Sequence, residues 1–333
     1  MSLAALLAFV MLASLIAYAI LGGADFGAGI WDLLSRGPRG PAHRRELARA
    51  IGPVWEANHV WLIFLIVLLF TCFPSAYATA SIALFWPLHL VLVGIVLRGT
   101  AFVFRAYASA SAGVQAAWGH VFGASSAMTP VLLGICLGAV STGGIRTDGS
   151  LVAPASGLAW TSRFPLATGI LALLICAYLA AVYLAWESRD AALKEDFRAR
   201  AIGCWLVAGA MSILVLLLAY ADAPRLWSRL TSPPAVAFIA GGALLAPASF
   251  ASLWRRRYGL ARVLGAAQVG ALLLGWGGAQ WPFLIYPDIT IAGAAAPQST
   301  LMLTAATLPI GFAALVPSLW LLFSVFKGKG GEA

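Results

Sequence analysis

Asp25, Glu56, His59 and Arg98 are ionisable residues that each fall inside an apolar run of the sequence. In hydrocarbon such a side chain costs several kcal/mol unless it is paired or hydrated, so each is a functional candidate by default. The rise of an α-helix sets their depths. Counted from the helix ends nearest the arginine-rich loops, Asp25 lies about 9 Å in, Glu56 about 8 Å, Arg98 about 10 Å and His59 about 12 Å. Two carboxylates beside one arginine can leave one of them free to gain and lose a proton, which is relay chemistry. The competing reading is an ion pair that fixes helix register, and spacing alone weights the two equally.

Three motifs hold these residues. The first is Gly22-Gly23-Ala24-Asp25-Phe26-Gly27-Ala28-Gly29, whose glycines allow close approach of two membrane helices. The second, Trp55-Glu56-Ala57-Asn58-His59-Val60-Trp61, is expensive as packing filler inside a span and is the most specific feature present. Helical spacing puts Glu56, His59 and Ile63 on one face. The third runs from Arg98 to Arg105, seven residues apart on one face, and Arg105 reads as a residue that snorkels to the interface. A haem held between helices wants two ligands at one depth. His59, His89 and His120 fall at about 12, 24 and 5 Å, so the histidines read as core residues rather than haem ligands. Cys72, Cys136, Cys176 and Cys204 all lie in apolar runs with no metal or disulfide spacing.

These residues need membrane helices to position them. The 333-residue chain is 62% hydrophobic and 10% charged, too apolar to close one water-soluble core. Runs of spanning length lie at about 3–31, 51–73, 78–105, 117–141, 164–187, 200–221, 235–254, 260–285 and 301–326. The fold class expected is an all-α polytopic membrane protein of about nine spans. The expected division is a motif-bearing bundle at 1–141, a second bundle at 164–285 and a peripheral helix at 301–326, in one integral membrane domain. Residues 3–21 lack a basic leader and read as a retained first span. Seventeen of the 21 lysines and arginines fall on one side, which predicts the N-terminus outside and the C-terminus inside. The net charge of +9 is therefore read as basic inner loops rather than a nucleic-acid surface.

In this order and on the first three spans, the motifs resemble subunit II of cytochrome bd-type quinol oxidases. The segments that carry the resemblance are Ala24-Asp25-Phe26-Gly27, Trp55 to Leu62 and Arg98 to Arg105, with Trp281-Pro282-Phe283 and Gln298 to Leu301 matching more weakly. The resemblance implies a heterodimer in a bacterial inner membrane with a larger subunit I that carries the b and d haems. It implies that this chain binds none of them, holds a structural quinone or lipid, and feeds protons from the inside while the complex oxidises quinol and reduces oxygen. A small accessory subunit fits the same pattern. Asp25, Glu56 and His59 would form the relay, with Arg98, Arg105, Trp55, Asn58 and Trp61 as counter-charge and framework. Gly22, Glu56-Ala57, His59 and Val103 depart from the family pattern and thin its acidic relay. Two alternatives remain open at this point: a bd-like complex with another electron acceptor, and a secondary transporter binding its substrate at Asp25, Glu56 and Arg98.

Overall fold

The computed structural model describes residues 2–51, 55–107, 112–148 and 151–327; the side chains of Trp55 and Glu56 lie outside the described residues. Among the described residues the chain is a succession of apolar α-helices. The first half comprises α1 (Leu3–Leu34), α2 (Gly40–Ile51), α3 (Trp55–Asn58), α4 (Val60–Cys72), α5 (Pro74–Ala83), α6 (Phe85–Tyr107) and α7 (Ala112–Thr142). A hairpin of β1 (Thr147–Asp148) with β2 (Leu151–Val152) and a 3-10 helix at Pro154–Thr161 lead into α8 (Arg163–Glu187). Then follow α9 (Ala191–Asp222), α10 (Pro224–Leu230), α11 (Pro233–Trp254), α12 (Tyr258–Gln280), the hairpin of β3 (Phe283–Ile285) with β4 (Ile289–Thr290), and α13 (Gln298–Lys327). Eight helices are long and apolar enough to cross a bilayer, and the bent pair α4–α5 makes a ninth span when counted as one.

The bend differs from the two continuous runs expected at 51–73 and 78–105. α4 and α5 meet at 116°, and α6 starts only at Phe85. Pro74 explains the turn, because it offers no N–H to the preceding turn and suits the first position of a new helix. The same break recurs in the second half. Phe73 has φ −138° and ψ 60° before Pro74, and Ala223 has φ −139° and ψ 60° before Pro224. The two breaks thus share one local backbone geometry. The segment 32–50, expected as a loop, holds the polar helix α2.

α1 and α8 lie at the centre. α1 packs on α4, α7, α8 and α12, and α8 packs on α7, α9 and α12. Trp31 Nε1 donates to the Ala177 carbonyl at 2.8 Å, which ties α1 to α8 in the interior. Gly27 makes that approach possible: a Cβ there would lie 1.9 Å from the Cys176 carbonyl oxygen. Gly27→Ala meets the Cys176 backbone and the rigid Ala180 Cβ, so it must separate two helices. The expected outcome is a loss of about 1–3 kcal/mol or more from overpacking, read as a severalfold drop in assembled protein on size-exclusion chromatography. Normal yield and melting temperature for the variant would show that the crossing is looser than described.

At the helix ends away from the arginine-rich loops, α5 packs on the 3-10 helix, β2 and β3. Ala83, Leu84, Ala139, Ile145 and Ile285 form a buried apolar cluster there. α13 runs alongside α1 and α4 with its apolar stretch left almost bare.

Candidate functional site

The motif residues converge between α1, α4, α6 and α7. α1 continues to Leu34, so Asp25 lies about 14 Å from its end, deeper than the sequence estimate. The Asp25 side chain is buried, and its Oδ2 accepts a hydrogen bond from Asn58 Nδ2 at 2.6 Å. Asn58 closes the one-turn helix α3, and His59 stands in the gap before α4. The gap turns Asn58 towards α1.

Arg98 on α6 is 1% exposed. Its Nε donates to Ser126 Oγ on α7 at 3.1 Å, and its guanidinium lies 4.9 Å from the Phe26 ring and 5.4 Å from the Phe122 ring. Cation–π attraction contributes about 2 kcal/mol when such a site is desolvated. Arg98 Nη1 faces His59 Nε2 at 3.4 Å, and Tyr18 Oη faces His59 Nδ1 at 3.4 Å. Arginine offers only donors, so Nε2 is the side of the His59 ring suited to accept from Arg98. Asp25 is within electrostatic range of Arg98. Among the described residues Arg98 Nη2 has no hydrogen-bond partner. Gly29 keeps α7 close: a Cβ there would meet Ser126 Oγ at 2.2 Å.

Asp25, Asn58, His59 and Arg98 thus lie together between these helices. Trp61 is half-buried one turn further along, its ring 6.4 Å from Phe312 of α13. Trp55 and Glu56 are the sequence candidates whose side chains lie outside the described residues. Ile63 is 61% exposed and does not continue the His59 face into the interior. Arg105 corrects its expected role. It does not merely snorkel: Nη1 and Nη2 donate to both oxygens of buried Asp32, at 2.7 and 3.2 Å.

Asp32, Tyr18 and Ser126 were not singled out by the sequence reasoning. A signal existed for two of them. Tyr18, Asp25 and Asp32 repeat every seven residues on α1, the same spacing that separates Arg98 from Arg105 on α6. Ser126 carries no such pattern.

The histidines differ in their surroundings. Both His59 nitrogens face protein partners, whereas His89 and His120 each bond through Nδ1 to a carbonyl one turn back, at 2.7 and 2.8 Å. Among the described residues no group of three or more His, Cys, Asp or Glu could hold a metal ion.

Apolar spans wrapped around a buried, hydrogen-bonded charge cluster define a multi-pass helical membrane protein with a polar centre. The comparisons carry that class to a family. A family model described as cytochrome bd terminal oxidase subunit II matches residues 3–326. A putative cytochrome bd menaquinol oxidase subunit II of Bacillus subtilis is 25% identical over 321 residues, 93% of this chain and 91% of that protein. A cytochrome bd ubiquinol oxidase subunit 2 of the same organism is 34% identical over 128 residues, covering 38% of this chain and 37% of its own length. A chain of the bd oxidase from Geobacillus thermodenitrificans shares the fold, with TM-score 0.83 and 24% identity over 98% of this chain and 99% of that one. This chain belongs to the cytochrome bd terminal oxidase subunit II family, whose complexes are quinol:oxygen oxidoreductases containing haem. The secondary-transporter alternative finds no support.

Proposed function

We propose that this chain partners a haem-bearing subunit I in a bacterial inner membrane and delivers protons from the cytoplasmic side while the complex oxidises quinol and reduces oxygen. The observation that carries the reading is the buried Asp25–Asn58 and His59–Arg98 constellation at membrane depth. A carboxylate and an imidazole held beside a fixed arginine have no packing role that apolar residues would not fill better. In this reading Asp25, Glu56 and His59 handle protons, and Arg98 sets the local potential. Arg105, Asn58, Trp55 and Trp61 hold the frame, and Asp32 pairs with Arg105 at the arginine-rich end. The two halves, 1–141 and 164–285, are read as two bundles joined where α1 meets α8, with 301–326 peripheral. The N-terminus faces outside and the C-terminus the cytoplasm, because seventeen of 21 basic residues lie on one side. A bound quinone or lipid and a small accessory subunit fit the same reading.

Purification through a tag on this chain tests it. A larger subunit should co-elute with the full Soret absorbance, while this chain expressed alone shows none and His59→Ala leaves the haem content of the complex unchanged. Stoichiometric haem in the isolated chain would overturn the assignment. Single cysteines in 145–160 should react with an impermeant reagent added outside intact cells, and cysteines in 36–45 should not; the reverse pattern would invert the topology.

A further inference from the structure

A second charged site lies where α1, α2 and α9 meet at the arginine-rich end, separate from the Asp25 cluster. It is a cleft of about 280 Å³ lined by Arg36, Arg39, His43, Asp196 and Arg200 among others. Three arginines and one carboxylate line it, and both oxygens of that carboxylate are engaged. Arg39 Nη2 pairs with Asp196 Oδ1 at 3.1 Å, and His43 Nε2 faces Asp196 Oδ2 at 2.9 Å. Burial and the neighbouring Arg200 hold the His43 imidazole below its ordinary pKa, against the pull of Asp196. A neutral ring leaves the cleft cationic through its arginines alone.

Arg200 shows what the cleft is short of. Its guanidinium lies 5.1 Å from the Trp31 ring and 5.3 Å from the Phe197 ring, so two aromatic contacts fix it. Its Nη1 is buried and meets no acceptor among the described residues. An unpartnered buried donor is expensive, more so on a charged group. A fixed guanidinium with an unused donor beside two further arginines calls for a compact anion carrying several oxygens. Planar guanidinium groups match phosphate oxygens in paired hydrogen bonds. The volume suits a phosphate with a small ester group and is below the range of about 300–1,000 Å³ that holds drug-sized ligands. Position agrees: Arg36 and Arg39 follow the end of α1, and Arg200 lies just before the apolar part of α9. That is the level of lipid headgroups.

We infer that this cleft binds a phosphate ester through Arg200, Arg36 and Arg39, with Asp196 and His43 holding Arg39 in place. Lipid headgroups and soluble phosphates share that chemistry, and the test separates them. The assembled complex, wild type and the variants Arg200→Gln and Arg36→Gln, is stripped of lipid in neutral detergent. One arm adds phosphatidylglycerol or a phosphate-free neutral glycolipid and counts retained molecules by native mass spectrometry. The other adds inorganic phosphate and follows the melting temperature. Wild type should retain phosphatidylglycerol about tenfold better than glycolipid, with the preference falling about tenfold in Arg200→Gln and severalfold in Arg36→Gln. Arg36 is exposed, so its variant assembles and carries the test even if Arg200→Gln does not. A response to lipid alone assigns the site to a headgroup, and an equal response to inorganic phosphate assigns it to soluble phosphates. If both probes treat wild type and Arg36→Gln alike, and Arg200→Gln too where it assembles, the cleft is not a phosphate site.

Discussion

Asp25→Asn is expected to lower the yield of assembled complex, and Asp25→Asn with Arg98→Gln to restore the yield without restoring turnover. The single change keeps the shape of residue 25 and can still accept from Asn58, but it leaves the Arg98 guanidinium without the Asp25 charge. Stranding one partner of a buried charge pair costs about 3–5 kcal/mol. Removing both charges relieves that penalty, and residues sharing one network couple by about 0.5–3 kcal/mol. Assembly alone would therefore rate the double variant close to wild type. Proton delivery would not, because an amide cannot carry an ionisable proton, and general acid–base groups contribute about 10²–10⁴-fold. Haem content per complex and oxygen consumption with excess quinol separate the two. The expectation is full haem with turnover reduced about a hundredfold. Wild-type turnover in the double variant would reduce the cluster to a register lock between α1 and α6.

Glu56→Gln should give the second large effect, with a different signature. Glutamine keeps the size and hydrogen-bonding capacity of the side chain and loses only its ionisation. A relay residue then yields an assembled complex with full haem, at least about tenfold slower turnover and less charge separation across a proteoliposome membrane. A purely structural Glu56 gives the opposite split: reduced yield, with the surviving complexes turning over normally. Intact Glu56→Gln complexes with wild-type proton uptake would remove Glu56 from the path.

Much of this site was legible because burying charge is costly and therefore rare. Asp25, Glu56, His59 and Arg98 stood out as ionisable residues in apolar runs, and the structure pairs Asp25 with Asn58 and His59 with Arg98. Span positions were legible for the same reason, since apolar length is a strong signal. Asp32 was lost through a boundary. The first span was read as ending at residue 31, which put Asp32 in a polar loop, whereas α1 runs to Leu34 and buries it. With Asp32 misplaced, Arg105 had no visible partner and was read as a snorkelling residue. Ser126 and Tyr18 are ordinary in composition and gain meaning only from Arg98 and His59 opposite them. The α4–α5 bend was hidden because Phe73-Pro74 lies at an apolar boundary where hydropathy barely changes. The duplicated break at Ala223-Pro224 shares backbone geometry with it, and of its two residues only the proline recurs.

The packing of α5 against the 3-10 helix and both hairpins has a bioenergetic consequence. A coupling membrane stores work as a proton gradient, and any wet route through a subunit discharges it. At the far ends of these helices Ala83, Leu84, Ala139, Ile145 and Ile285 form a buried apolar layer. The opposite end carries Asp32, Arg105 and the charged helix α2. Under the proposed function, the subunit is thus wired at one terminal and insulated at the other. In that reading the apolar layer opposes onward passage of protons from Asp25, so they are passed sideways, to a partner, and the gradient is not short-circuited.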